Sequence, residues 1–264
     1  MRALLLFGAY FAFSAKKFVI YRINLLSHIG TIFIPVAINF FMWNSIIDDN
    51  YIAYSLPEMM MYLIFANFIF AFTCIEADTD LEDNIKSPKL GQKLIRPINF
   101  IADMLLRHFT DSLCKLLFVY MPIILFVIFV LGGNNIDVFR LPLFILTLFI
   151  AFSLNASFAL IIGFMSFWLT EIWGISAIRN ILTGLLSGTM FPLSIFSYEI
   201  QRFFLLTPFP YMTYIPAKVV SDSDFDLQIV FDGLQISVVW LLGLSLTVFT
   251  LYKNGIRLYT VKGA

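Results

Sequence analysis

Charge is scarce in this 264-residue sequence: 13% of residues are Asp, Glu, Lys or Arg, against 60% that are hydrophobic. Soluble domains carry about a quarter charged residues, so the chain has too little charge to cover a water-facing surface of its size. Histidine and cysteine are nearly missing, with His28 and His108 and with Cys74 and Cys114 the only ones. Two cysteines forty residues apart make neither a disulfide framework nor a zinc site, and neither histidine stands in an H-x-x-x-H or H-E-x-x-H spacing, so no metal is assigned. No G-x-x-x-x-G-K-[ST] is present to cradle ATP phosphates, and neither a G-x-S-x-G nor a Ser/His/Asp set is found. Basic and acidic residues balance at 17 each, which argues against nucleic acid as a partner.

What is present is apolar and aromatic, including 31 Phe. Such a surface would aggregate in water but is ordinary in a bilayer. A helical span needs about 20 mostly apolar residues. The candidates are Ile23–Trp43, Met59–Ile75, Leu116–Leu131, Pro142–Trp168, Ile172–Phe191 and Ile229–Leu251. The expected fold class is therefore all-α, a polytopic transmembrane bundle of about six spans. Trp43, Tyr51, Tyr54, Trp168, Trp173 and Tyr252 fall near the proposed ends, where amphipathic rings favour the interface.

Lysine and arginine set the orientation. Arg2, Lys16, Lys17 and Arg22 precede the first span. Lys86, Lys89, Lys93, Arg96, Arg107 and Lys115 lie between the second and third. Arg179 lies at the fourth–fifth turn, and Lys253, Arg257 and Lys262 follow the sixth; only Arg140, Arg202 and Lys218 oppose them. Both termini are thus expected in the cytoplasm. The same distribution argues against reading the first twenty residues as a cleaved signal peptide, which would put Lys16, Lys17 and Arg22 outside. Residues 1–22 fit a helix in the cytoplasmic interface, with Gly8, Ala12 and Ala15 forming a small-residue face toward the bundle.

The most polar stretch runs from Glu76 to Lys115. Acids lead (Glu76, Asp78, Asp80, Glu82, Asp83) and bases follow (Lys86, Lys89, Lys93, Arg96), the order that suits the dipole of a short helix begun near Thr79 or Asp80. Pro88 and Gly91 break that helix, and Arg96-Pro97 breaks the chain again. Leu81, Ile85, Leu90, Leu94 and Ile95 make the segment amphipathic, which a docking surface for a cytosolic partner explains better than a solvated connector. Asp103, Arg107, Asp111 and Lys115 form one charged stripe at i, i+4, read as the polar face of an interfacial helix leading into the third span. Asn39, Asn67 and Asn155 are mid-span polar residues expected to bond between helices.

Gly184 and Gly188 make a G-x-x-x-G on the fifth span, a pattern that permits close helix approach. From Phe191 to Pro216 the chain is too apolar for an exposed loop and too broken, with Pro192, Pro208, Pro210 and Pro216, for a span. Two short helices dipping back into the outer leaflet fit it. Ser221–Asp226 then reads as an external turn.

With these landmarks the chain resembles a permease subunit of the bacterial ABC-2 type exporters, in the compact six-span branch that includes viologen and multidrug exporters. The resemblance rests on Lys89–Pro97 (KLGQKLIRP), on the pattern Gly188, Phe191-Pro192, Pro208-Phe209, Tyr214 and Pro216, and on the layout of N-terminal helix, six spans and tail. Ser197 and Ser221 stand where that pattern has a nearby proline and glycine. The resemblance implies one transmembrane domain over residues 1–264, with a connecting helix at 1–22, a cytoplasmic coupling segment at 76–111 and an outer re-entrant segment at 191–216. It implies pairing with a second copy or a sister permease in the bacterial cytoplasmic membrane. It also implies a separate cytosolic ATPase that holds the ATP and magnesium, leaving this chain with no cofactor and no catalytic residue. That ATPase would push on roughly Asp80–Pro97, with Leu81, Ile85 and Leu90 inserting into it and Lys86, Lys89, Lys93 and Arg96 facing its polar groups. A hydrophobic or amphipathic substrate would leave the cell by alternating access. The rival readings are a gradient-driven carrier, a membrane-embedded enzyme and a structural membrane subunit without transport of its own. The first needs inverted repeats or mid-span titratable groups, and the second convergent His, Asp or Cys at one depth, neither of which the sequence has.

Overall fold

The computed structural model describes residues 2–20, 22–47, 56–125, 138–221 and 227–259, and among them all regular structure is helical. Helix α1 is Arg2–Ile20, α2 Arg22–Ile47 and α3 Leu56–Thr73. Two short helices follow, α4 Ala77–Lys86 and α5 Lys89–Leu94. Helix α6 runs Phe100–Leu125, with a π-helical turn at Leu116–Tyr120. The later helices are α7 Leu141–Met165, α8 Trp173–Leu186, α9 Tyr198–Leu205, α10 Tyr214–Ser221 and α11 Leu227–Leu258. The ends of the third predicted span and of the 221–226 turn, together with Tyr51, Tyr54 and Lys262, lie outside the described residues.

Among the described residues, α3, α6, α7 and α11 lie in helical stretches long and apolar enough to cross a membrane. Helix α3 is central, touching α2, α6, α7 and α10, and two-thirds of its apolar window is buried, against 17% for that of α11. Phe72, Phe109 and Phe152 join α3, α6 and α7, with centroids 5.2–6.4 Å apart. Such tilted and edge-on pairs contribute about 0.5–1.5 kcal/mol each beyond the area they bury.

Several sequence expectations change here. The amphipathic charged helix and the third span are one continuous helix, α6, begun by Asn99, whose side-chain oxygen accepts from the backbone N–H groups of Ile101 and Ala102 at 3.0 and 3.2 Å. The fifth predicted span is shorter than expected: α8 has 14 residues, about 21 Å at 1.5 Å per residue, less than the roughly 30 Å hydrocarbon core. Gly188 lies beyond its end with φ +84°, the left-handed position that commonly follows a helix terminus. A Cβ on Gly184 would meet nothing within 4 Å among the described residues, whereas one on Gly188 would meet Tyr62 Oη at 2.8 Å. Asn67 and Asn155 bond back to Leu63 and Ala151 of their own helices, not across the bundle. Helix α1 turns Tyr10 and Ser14 to α6, and Gly8 and Ala12 are exposed. The reason is chemical: the Asp103 and Asp111 carboxylates on α6 take hydrogen bonds from Tyr10 and Ser14, which a small-residue face cannot supply.

Candidate functional site

The polar segment after α3 builds one end of the molecule. Helix α4 starts at Ala77, two or three residues before the predicted start, with Asp78 and Asp80 in its first turn and Lys86 in its last. That polarity matches the dipole. Ser87 and Pro88 end it, but Gly91 lies inside α5 and breaks nothing.

The apolar face of this segment turns inward. Leu81 is fully buried, and Ile85 and Leu90 are buried too, as α4 lies along α7. Gly163 makes that approach possible: a Cβ there would fall 2.8 Å from Leu81 Cδ2 and 3.1 Å from the Cα of Asp78. Leu81, Ile85 and Leu90, expected to insert into a partner, are thus buried within the chain itself, with Leu81 and Ile85 on the side of α4 that lies along α7.

Polar contacts fix the segment further. Glu82 pairs with Lys86 and accepts from the backbone N–H of Ile172, at the start of α8, at 3.2 Å. The Tyr259 hydroxyl, just beyond α11, accepts from Gly91 N–H at 3.2 Å and donates to the Ser87 carbonyl at 3.4 Å, clamping the turn between α4 and α5. Arg179 does not sit in a loop: it lies within α8, buried, with its guanidinium 3.3 Å from the buried Asp78 carboxylate. His108 of α6 lies 3.3 Å from Asp80, and this imidazole holds the Asp80 carboxyl below its ordinary range. Burial, with Arg107 nearby, lowers the Lys93 ammonium, whose charge stands 5.7 Å above the Phe100 ring. Gly163, Tyr259 and the Asp78–Arg179 and Asp80–His108 pairs escaped the sequence reading because their partners lie far along the chain.

What remains exposed is a tip. Lys89, Arg96, Pro97 and Asn99 are exposed, and so are two isoleucines, Ile95 at 86% and Ile98 at 40%. Ile95 belonged to the amphipathic pattern; Ile98 gave no signal beyond its place after Arg96-Pro97.

At the opposite end, the predicted outer residues do come together. Gly188 carries the turn, with its carbonyl accepting from Tyr62 Oη at 2.7 Å and Ser187 O accepting from Tyr214 N at 2.9 Å. The Tyr214 hydroxyl accepts from Gln201 Nε2 at 3.2 Å, and its ring meets Tyr62 edge-on at 6.1 Å. Pro192, Pro208 and Pro216 are buried, Phe191 packs edge-on against Phe196, and Phe209 stacks on Phe158 of α7 at 5.7 Å. Gly233 on α11 makes room for the Tyr211 ring, which a Cβ would meet at 2.8 Å. Tyr62 and Gly233 were not singled out in the sequence. Gly188→Ala is expected to lower stability by about 1–2 kcal/mol through its left-handed backbone alone, and by more because the new Cβ would lie 2.8 Å from Tyr62 Oη. Thermal unfolding in detergent checks it, and an unchanged midpoint would refute the role given to this turn.

Residues 33–263 match the model of a family described as ABC-2 family transporter protein. No curated protein matches the chain. The match covers most of the sequence and both ends described above, so the chain belongs to the ABC-2 transporter family, as a multi-pass permease component of an ABC transporter without an ATPase site of its own.

Proposed function

We propose that this permease exports a hydrophobic or amphipathic substrate across a bacterial cytoplasmic membrane, driven by a separate cytosolic ATPase that docks on the tip from Lys89 to Asn99. The observation that carries this reading is the exposed pair Ile95 and Ile98, flanking Arg96-Pro97, on a base that the same chain buries. An 86% exposed isoleucine stabilises nothing in the isolated chain, yet it stands on a support tied to α7, α8 and Tyr259. A partner that covers Ile95 and Ile98 and faces Lys89 and Arg96 gains apolar burial and charge contacts together. A push on the tip would pass through Leu81 into α7, and two permeases, copies or sisters, would move together between inward and outward openings. ATP and magnesium would bind on the ATPase. The termini lie on the same side as the tip in this reading, in keeping with the lysines and arginines gathered there.

The test is the double variant Ile95→Asp/Ile98→Asp, made in the native host with a tagged permease. Exposed substitutions change stability by about 0.5 kcal/mol or less, so the unfolding midpoint should hold. Recovery of the ATPase with the permease should fall at least about tenfold, as for loss of an interface anchor. Recovery at the wild-type level would overturn the docking assignment, and a wild-type permease that brings down no ATPase would favour a gradient-driven carrier.

A further inference from the structure

We propose that the ATPase makes a second contact beside the tip, placing one large aromatic side chain in the pocket framed by the end of α4, the α7–α8 turn and the end of α11. The inference rests on the docking reading above and extends it to a defined site. Interfaces of stable complexes take about 20–30 residues a side, and the segment from Lys89 to Asn99 is too short to supply them. Further contacts must come from the surface next to it.

The pocket adjoins that segment and measures about 300 Å³. Ile85 and Lys86 line it from α4, Phe167 and Leu169 from the stretch after α7, and Leu258 and Tyr259 from the end of α11 and just beyond. These walls are fixed to one another. Gly255 seats α11 on the Phe167 ring, which a Cβ at that position would run into. The Tyr259 hydroxyl accepts from Gly91 N–H at 3.2 Å, which joins the pocket wall directly to α5 and so to the base of the tip. Phe167, Leu169 and Leu258 form an apolar lining, and Leu258 is 57% exposed.

Polar atoms in the walls have partners within the chain. Ser166 Oγ donates to the Gly163 carbonyl, and Lys86 pairs with Glu82. An ion entering the pocket would lose water and gain little in return. A tyrosine or tryptophan fits the mixed walls, with its ring against the apolar lining and its polar tip at the mouth, beside exposed Thr170. Such rings in pockets are the anchors that dominate protein interfaces. The pocket opens beside Lys86 and the polar α4–α5 turn, past the end of the apolar run of α7 at Met165, so a protein meets it rather than hydrocarbon.

Photocrosslinking in the native host tests it. With benzoylphenylalanine in place of Leu258, the tagged permease should capture a protein whose peptides carry the ATP-binding G-x-x-x-x-G-K-[ST] sequence. The same group in place of Tyr198, exposed at the outer end, should not. Thr170→Trp fills the mouth from an exposed position, so the unfolding midpoint should hold. ATPase recovered with that variant should fall at least about fivefold, as for a lost anchor, whereas Thr170→Ser keeps the wild-type level. Should Thr170→Trp fail to fold, Leu258→Asp reads the same loss. Crosslinks from position 258 only to lipid, to a second copy of the chain or to its own residues 260–264 would overturn the proposal, and so would wild-type recovery by Thr170→Trp. A wild-type permease that recovers no ATPase would remove the docking reading and this contact together. Loss of the ATPase from Ile95→Asp/Ile98→Asp, with no response at the pocket, would remove the pocket alone.

Discussion

Leu81→Asp is expected to abolish the folded permease. Leu81 is fully buried and faces Gly163 across the line where α4 meets α7, with Leu81 Cδ2 only 2.8 Å from where a Gly163 Cβ would stand. A carboxylate placed there has no basic partner, and an uncompensated buried ion costs several kcal/mol, comparable to the whole stability of many domains. Leu81→Ala should lose about 2–5 kcal/mol through transfer and cavity terms together. Gly163→Ala attacks the same contact from the other side. Its methyl would meet Leu81 and, at 3.1 Å, backbone of α4 that no rotamer change can move, so α4 must shift, at a cost of about 1–3 kcal/mol. Ile95→Asp should leave the unfolding midpoint in place. Folded protein recovered after detergent extraction, with thermal unfolding of each variant, separates these outcomes. If Leu81→Asp were recovered at the wild-type level and lost only its ATPase, the apolar face of α4 would be the docking surface after all.

Breaking the Asp78–Arg179 pair is the second large effect. The two side chains are 2% and 8% exposed, with the carboxylate 3.3 Å from the guanidinium. Arg179 also donates to the Ile75 carbonyl at 3.4 Å and to Asn180 Oδ1 at 2.9 Å, so it ties the end of α3, the start of α4 and the middle of α8 together. Asp78→Asn or Arg179→Met alone leaves one buried charge unpaired, a loss of about 3–5 kcal/mol. Asp78→Leu/Arg179→Met removes both charges and should recover most of that stability, because a well-packed apolar pair is often as stable as a buried ion pair. The double-mutant cycle measures the coupling directly. Additive losses would mean that the two groups do not depend on each other. Recovery of stability without recovery of transport would instead assign the pair a role in moving α4 against α8.

The outer and inner ends differ in how much of them was legible. The run from Phe191 to Pro216 announced itself by composition, since apolar residues broken by prolines must be covered by protein. Accordingly residues 211–217 are all buried. The inner segment was less legible for a reason that is also physical. Amphipathic spacing says that a helix has an apolar face, not what lies against it, and the pattern at Leu81, Ile85 and Leu90 is the same whether a partner protein or α7 covers that face. Ile95 and Ile98 remain exposed, and the proposed docking of the ATPase assigns them to that partner. The short α8 misled in another way: its apolar run continues through Met190 and Phe191, but Gly188 turns the chain inside it.

By itself the sequence determined what composition and period can determine. Too few charges for a water-facing surface meant a bilayer, runs of apolar residues gave the long helices, and the lysine and arginine distribution marked one end as polar. These are local or summed properties, so no knowledge of neighbours was needed. Contacts across 80 or more residues were decided by the tertiary structure alone: Leu81 on Gly163, Asp78 with Arg179, Tyr259 on the α4–α5 turn, and α1 bound to α6 through Tyr10 and Ser14. Each depends on which helices become neighbours, and that follows from how all the apolar faces and carboxylates can be satisfied at once.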